Sequence, residues 1–158
     1  MTDAPLSGGC QCGAVRFRAA EMGRPSICHC RMCQKAFGGF FGQLISCGAV
    51  TWTRGEPQWF ASSDAAGRGF CENCGTPLAY ETKFGLELAI GAFDNPDKVA
   101  PAIQVNLRDK LALFDTLTDL PVRISEPGGE WETFMAGLVS HQHPDHDTDT
   151  WPPEGPGQ

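Results

Sequence analysis

The sequence predicts a mainly β fold in a single small domain, and three observations carry that expectation. Short runs of β-branched and aromatic residues recur between turn residues. Glycine and proline, 19 and 12 of the 158 residues, interrupt the chain too often for long helices. No stretch keeps a convincing helical period. A chain of this length buries about 70 % of its unfolded surface, so it needs no metal merely because it is small.

The elements follow in order. Ala14-Val15-Arg16-Phe17 reads as a strand behind the first pair of cysteines. Leu44-Ile45 and Val50-Thr51-Trp52-Thr53 read as two strands divided by Ser46-Cys47-Gly48, and Trp59-Phe60 opens another. Gly67-Arg68-Gly69-Phe70 leads into the last cysteine pair. Leu78-Ala79-Tyr80 and Leu86-Glu87-Leu88-Ala89-Ile90 form a hairpin around Lys83-Phe84-Gly85. Asp94-Asn95-Pro96-Asp97 opens a short turn, and Ile103-Gln104-Val105-Asn106-Leu107 is the last clear strand.

This places the folded domain at residues 1–135 and an acidic, His/Pro-rich tail at residues 136–158. From His141 the tail is polar and proline-rich and holds three of the four histidines, so it is expected to be disordered. A histidine-rich tract also binds metal weakly, and Trp151 is the residue able to anchor it.

Charge and composition exclude some roles. The net charge of −7, with only 12 scattered Lys and Arg, disfavours non-specific nucleic-acid binding. Met1 to Gly9 has neither a basic segment nor an apolar run, so no signal peptide is visible. No segment approaches the roughly 20 apolar residues of a membrane span. A cytoplasmic setting, which keeps thiols reduced, is expected, with no nucleic-acid or membrane partner.

The cysteines decide the class. Seven of the eight fall into three groups: Cys10-Gln-Cys12, Cys28-His-Cys30-Arg-Met-Cys33 and Cys71-Glu-Asn-Cys74. A disulfide scaffold spreads its cysteines to staple distant loops, whereas grouped thiolates converge on one ion. Zinc takes four tetrahedral ligands, and the spacings do not follow the iron–sulfur patterns. The seven divide as four and three. Cys10, Cys12, Cys71 and Cys74 make a closed structural site that staples the first strand to a mid-chain turn. Cys28, Cys30 and Cys33 make a three-ligand site whose open position takes water or a thiol, the pattern of a reactive zinc. Cys47 is the alternative: as a fourth ligand it closes the second site, and as a lone cysteine it is a small buried hydrophobe. His29 points away from the metal toward substrate or ligands, or lies on the surface. Phe37, Phe40 and Phe41 wall a pocket or fill the core, and Arg31 and Lys35 meet a substrate carboxylate or lie on the surface.

The order G-G-C-Q-C-G-A-V-R-F, C-H-C-R-M-C-Q-K-A-F-G-G and F-C-E-N-C-G-T-P-L resembles the glutathione-dependent formaldehyde-activating enzyme family, also called the centromere protein V family. Gly91-Ala92-Phe93-Asp94-Asn95-Pro96, and Trp52 with Gly55-Glu56-Pro57, match further family stretches, so the resemblance runs from about Gly8 to Pro121. It implies a β-tent fold, a structural zinc on Cys10, Cys12, Cys71 and Cys74, and a catalytic zinc on Cys28, Cys30 and Cys33. It implies carbon–sulfur lyase chemistry joining glutathione and formaldehyde. The chain departs from the pattern at Gln104, where many members carry histidine, and at Leu111 to Phe114, where an aromatic residue, often tryptophan, is usual. The expected function is therefore a zinc-dependent carbon–sulfur lyase or synthase acting on a thiol adduct of a small aldehyde. The alternative is a non-enzymatic zinc module that carries a thiol or binds a protein partner. Chromatin association, suggested by one branch of the family, is disfavoured by the acidic balance.

Overall fold

The computed structural model of the chain describes residues 4–152. The expectations for residues 1–3 and 153–158 lie outside the described residues. The elements are β1 (Leu6–Gly9), β2 (Arg16–Met22), β3 (Ser26–Cys28), α1 (Arg31–Phe37), β4 (Gly42–Arg54), β5 (Gln58–Ala61), β6 (Ala66–Phe70), β7 (Pro77–Thr82), β8 (Gly85–Ala89), β9 (Ile103–Val105) and α2 (Glu130–Ala136). The strands form one sheet in the order β1-β2-β4-β8-β7-β6-β5, all antiparallel. At the side, β3 pairs antiparallel with β4 and parallel with β9. The fold is mainly β, as the sequence predicts. Among the described residues no helix is long and apolar enough to cross a membrane.

The 13-residue β4 is the spine of the sheet. It replaces the two strands expected on either side of Ser46-Cys47-Gly48. The glycine is not a break: a Cβ there would lie 2.3 Å from Glu21 Oε2, so Gly48 makes room for β2 while the strand runs on. The expected hairpin is present, with Thr82 opposite Gly85 and Gly85 at a φ of 124° that favours glycine. The short strands β1 and β3 and both short helices are additions to the sequence reading.

Alternation along the strands separates two rows of side chains. Gly69, Ala79, Leu88 and Ile45 stand opposite one another across four strands, and the last three are buried. The adjacent row, Arg68, Tyr80, Glu87 and Ser46, faces the other way. Phe17 is fully buried in the core between Trp52 and Phe93, edge to face at 5.9 and 5.1 Å between centroids. Gly8 permits this packing, since a Cβ there would sit 2.4 Å from the Phe17 ring.

Asp94, in the Asp-x-Pro turn, receives two hydrogen bonds from Arg16, at 2.8 and 2.6 Å, and one from Ser7 Oγ at 2.5 Å. Arg16 is buried, so this bidentate pair ties the turn to β2. Beyond β9 the chain makes short 3-10 turns at Leu107–Asp109 and Ala112–Asp119, then α2, none of which has a buried residue. The segment that composition marks as a loose tail lies, from Gln142 to Trp151, along the first cysteine turn. His143 N–H donates to Gln11 O at 2.7 Å. Asp147 accepts from Arg16 and Arg18 at 2.9 and 3.0 Å, Arg54 donates to Thr148 O, and Trp151 Nε1–H donates to Cys12 O. Composition shows the lack of apolar residues here but not these pairings, which join positions more than 90 residues apart.

Candidate functional site

Two cysteine groups form, with the membership the spacing suggests. The thiols of Cys10, Cys12, Cys71 and Cys74 lie within 4.8 Å of one another, and so do those of Cys28, Cys30 and Cys33. The four-thiol group is built from two strand-connecting turns. Cys10 and Cys12 follow β1, and the turn closes through Gly13 N–H on Cys10 O with Gly13 at a φ of 77°. Cys71 and Cys74 follow β6, and that turn closes through Gly75 N–H on Cys71 O with Gly75 at 75°. Both turns need glycine, because an L side chain is strained at such φ. Thr76 Oγ1 joins the turns by accepting from Gln11 N–H at 3.0 Å and lying 3.1 Å from Cys74 Sγ.

A tetrahedral zinc with Zn–S near 2.3 Å separates its sulfurs by about 3.8 Å. Cys10 and Cys12 are 3.5 Å apart and Cys12 and Cys71 are 3.8 Å apart, so this donor set fits that ion. All-sulfur donors are those zinc and iron select. Burial pushes the Cys10, Cys12 and Cys71 thiols up. At Cys74 burial acts in the same direction, but the hydrogen bonds of Thr76 and Cys12 outweigh it and lower the thiol to about 6.

The three-thiol group is built differently. Cys28 ends β3, and Cys30 is the N-cap of α1, its Sγ accepting the Cys33 N–H at 3.4 Å. Cys33 lies one turn into the helix, which ends at Gly38 with a φ of 60°. The thiols line an open cleft of about 590 Å³ with Leu44, Tyr80 and Asn106 among its walls. Asn106 Nδ2–H donates to Cys28 Sγ at 3.1 Å, and an Arg68 guanidinium N–H donates to Cys33 Sγ at 3.4 Å. The Cys33 thiol and the Asn106 amide lower Cys28 to about 5 against its burial. Cys33 is pushed the other way by Cys28 and by burial. Burial, then the nearby Cys28, raises the Glu87 carboxyl.

Cys47 belongs to neither group. It is buried in the core, its Sγ directed at Met22 Sδ and Ile45 O, each at 3.5 Å, and burial raises its thiol to about 11. It is the small buried hydrophobe of the two readings. His29 is fully buried, not on the surface. Its Nε2 meets Gln104 Oε1 at 2.9 Å, its ring packs against Phe114 at 4.7 Å, and Nδ1 has no hydrogen-bond partner among the described residues. The two positions where this chain departs from the resembled pattern, Gln104 and the Leu111–Phe114 stretch, thus meet at His29. Gln34 holds that loop by donating to His29 O and Asp109 O at 2.7 and 2.9 Å. Arg31 donates to Gln34 at 3.0 Å, which uses it locally, and Phe40 is exposed.

Sequence reasoning missed Arg68, Tyr80, Glu87 and Asn106. Arg68 carried one signal, a charge set between two glycines inside a strand that precedes a ligand pair. The others depend on cross-strand register. A second cavity of about 960 Å³ shares Ser46, Tyr80 and Glu87 with the cleft and adds Asp64, Lys83 and Phe84.

A family model described as glutathione-dependent formaldehyde-activating enzyme matches residues 5–109. No curated protein matches the chain. Among solved structures, a Rhodobacter sphaeroides protein is 18 % identical, the match covering 63 % of this chain and 100 % of that one at a TM-score of 0.48.

Proposed function

Because the chain belongs to the glutathione-dependent formaldehyde-activating enzyme family, we propose that it forms and reverses the carbon–sulfur bond between a glutathione-like thiol and a small aldehyde such as formaldehyde. Family membership supports glutathione-dependent formaldehyde activation in general; the site and its metal are our reading. The observation that carries it is the contrast between the two thiol groups. Four thiols close on one another between two strand turns, while three line an open cleft.

In this reading Cys10, Cys12, Cys71 and Cys74 hold a structural zinc, and Cys28, Cys30 and Cys33 hold a catalytic one. Zinc bound by three thiolates supplies a Lewis acid that favours an ionised thiol at neutral pH. The chain's own residues orient the partners. Asn106 and α1 fix the thiol ligands, and the cleft walls restrict the approach of the aldehyde. The thiol loses its proton, its sulfur bonds to the carbonyl carbon, and the carbonyl π pair moves to oxygen, which takes up a proton. The reverse order is the lyase reaction. The peptide part of the thiol extends past Tyr80 into the second cavity, where Lys83 meets a carboxylate. Eight unpaired cysteines suit a reducing compartment, so we place the protein in the cytoplasm.

Native mass spectrometry with an assay of glutathione-dependent formaldehyde consumption tests this. The wild type carries two zinc ions per chain. Cys33→Ala keeps one, stays folded and loses the activity. Cys47→Ala keeps both ions. One ion in the wild type, or full activity in Cys33→Ala, refutes the assignment.

A further inference from the structure

One row of directly opposed residues crosses the sheet beneath the cleft. Arg68 on β6 stands opposite Tyr80 on β7, Tyr80 opposite Glu87 on β8, and Glu87 opposite Ser46 on β4. Residues so paired share a face, and all four line the cleft.

Arg68 differs from Arg24, the other cation lining the cleft. It is only 8 % exposed. Its Nε donates to Ser62 Oγ at 3.0 Å and its Nη2 to Cys33 Sγ at 3.4 Å. Its guanidinium carbon lies 4.7 Å from the centre of the Tyr80 ring. Among the described residues no carboxylate lies within ion-pairing distance of it. Arg24 lines the same cleft but is exposed, where water and salt screen its charge. A buried cation is costly without an anion beside it. The sulfur within reach of Arg68 is Cys33 Sγ, which is an anion once the cysteine group holds a metal.

Charge counting gives that position a purpose. Three thiolates around a dication carry one net negative charge, and a fourth thiolate adds another. Admitting that fourth anion into a partly buried cleft is opposed by like charge unless a cation lies against the group. We propose that Arg68 is a specificity-determining residue that admits the substrate in its anionic thiolate form, its guanidinium offsetting the charge the entering sulfur brings. The thiol's proton leaves to solvent as the sulfur enters. The proposal rests on the reading given under Proposed function.

The full-length chain with cobalt(II) in place of zinc tests it, because thiolate-to-cobalt charge-transfer absorbance counts thiolates at the metal without turnover. Glutathione is the probe and S-methylglutathione, which cannot ionise at sulfur, is the control. Arg68→Gln keeps a donor toward Cys33 without charge, and Arg68→Lys keeps the charge. The wild type gains a saturable band with glutathione and none with S-methylglutathione. Arg68→Gln needs about 10- to 100-fold more glutathione, while Arg68→Lys stays close to the wild type, both with two metals per chain. Equal affinity in wild type and Arg68→Gln overturns the role of Arg68 and leaves the proposed function standing. Equal weakening in both variants, or loss of the cleft metal from both, assigns Arg68 a structural role and also overturns it. A wild type that shows no band with glutathione overturns the proposed function, and the proposal with it.

Discussion

Replacing Asp94 by Asn tests the ion pair that fastens the Asp-x-Pro turn to β2. Arg16 and Asp94 side chains are 4 % and 11 % exposed and meet at 2.6 Å. Removing one partner of a buried pair costs about 3–5 kcal/mol, because the other charge stays buried. Here Asp147 still accepts from Arg16 at 2.9 Å, so the lower end applies, about 3 kcal/mol. Asp147 itself is 32 % exposed, and Asp147→Asn should cost about 1 kcal/mol. For a chain of this size these correspond to melting shifts of about 6–12 °C and 2–4 °C. Urea unfolding with zinc in excess reads both variants, with an unchanged m-value as the check that only stability moved. Equal losses in the two variants would refute the reasoning, since burial would then not set the strength of the pair.

Two further predictions concern the segment that covers the first cysteine turn. Gly13 sits at a φ of 77°, and a Cβ there would lie 2.3 Å from both His143 and Trp151. Gly13→Ala should therefore displace residues 141–152, and limited proteolysis should cut there first while the wild type resists; an unchanged cleavage pattern would show that the segment is not held at this point. Acid should loosen the same segment. Burial, together with Arg16 and Arg54, lowers the His143 imidazole against the pull of Pro144 O and Asp94. Burial of the Asp147 carboxyl is outweighed by Arg16 and Arg18, which lower it. A group lowered in the folded state contributes stability above its unfolded value and loses it as pH falls through the folded one. For His143 that loss begins below about pH 6.5, and for Asp147 below about pH 4. Proteolysis of the segment should quicken between pH 7 and 5 in the wild type, and His143→Gln should remove the dependence in that window.

The cysteine groups were legible in the sequence because ligand spacing is a local property. Cys10 with Cys12, and Cys71 with Cys74, each sit in one turn, so the chemistry that joins them needs no knowledge of the sheet. The helix α1 was not legible. Its N-cap is Cys30, where Ser, Thr, Asp or Asn would have announced a start, and it runs for only seven residues. Arg16 with Asp94, 78 positions apart, and Arg68 with Tyr80 and Glu87 required strand pairing to become neighbours. The segment from Gln142 to Trp151 was hidden for another reason. Composition measures how much apolar surface a stretch can bury, and this one is fastened by Asp147 and by hydrogen bonds to Arg54, Cys12 O and Gln11 O.

Register also decides whether the cleft is open. Ser46 and Cys47 are neighbours on β4, and alternation sends them to opposite faces. Ser46 lines the cleft with the three thiols, while Cys47 joins the core with Ile45. A slip of one residue would exchange them and bring a fourth thiol to the face of Cys28, Cys30 and Cys33. The pairing that prevents this is apolar: Ile45 stands opposite Leu88, and Leu88 opposite Ala79, all buried. Turning β4 over in this way would carry Ile45 out of the core to the cleft face and Ser46 into its place, at a cost of about 1.5–3 kcal/mol for the exposed Ile45 side chain alone. The aliphatic core of the sheet thus keeps Cys47 away from the three-thiol group. By that means it holds open the position at which the proposed chemistry takes its thiol.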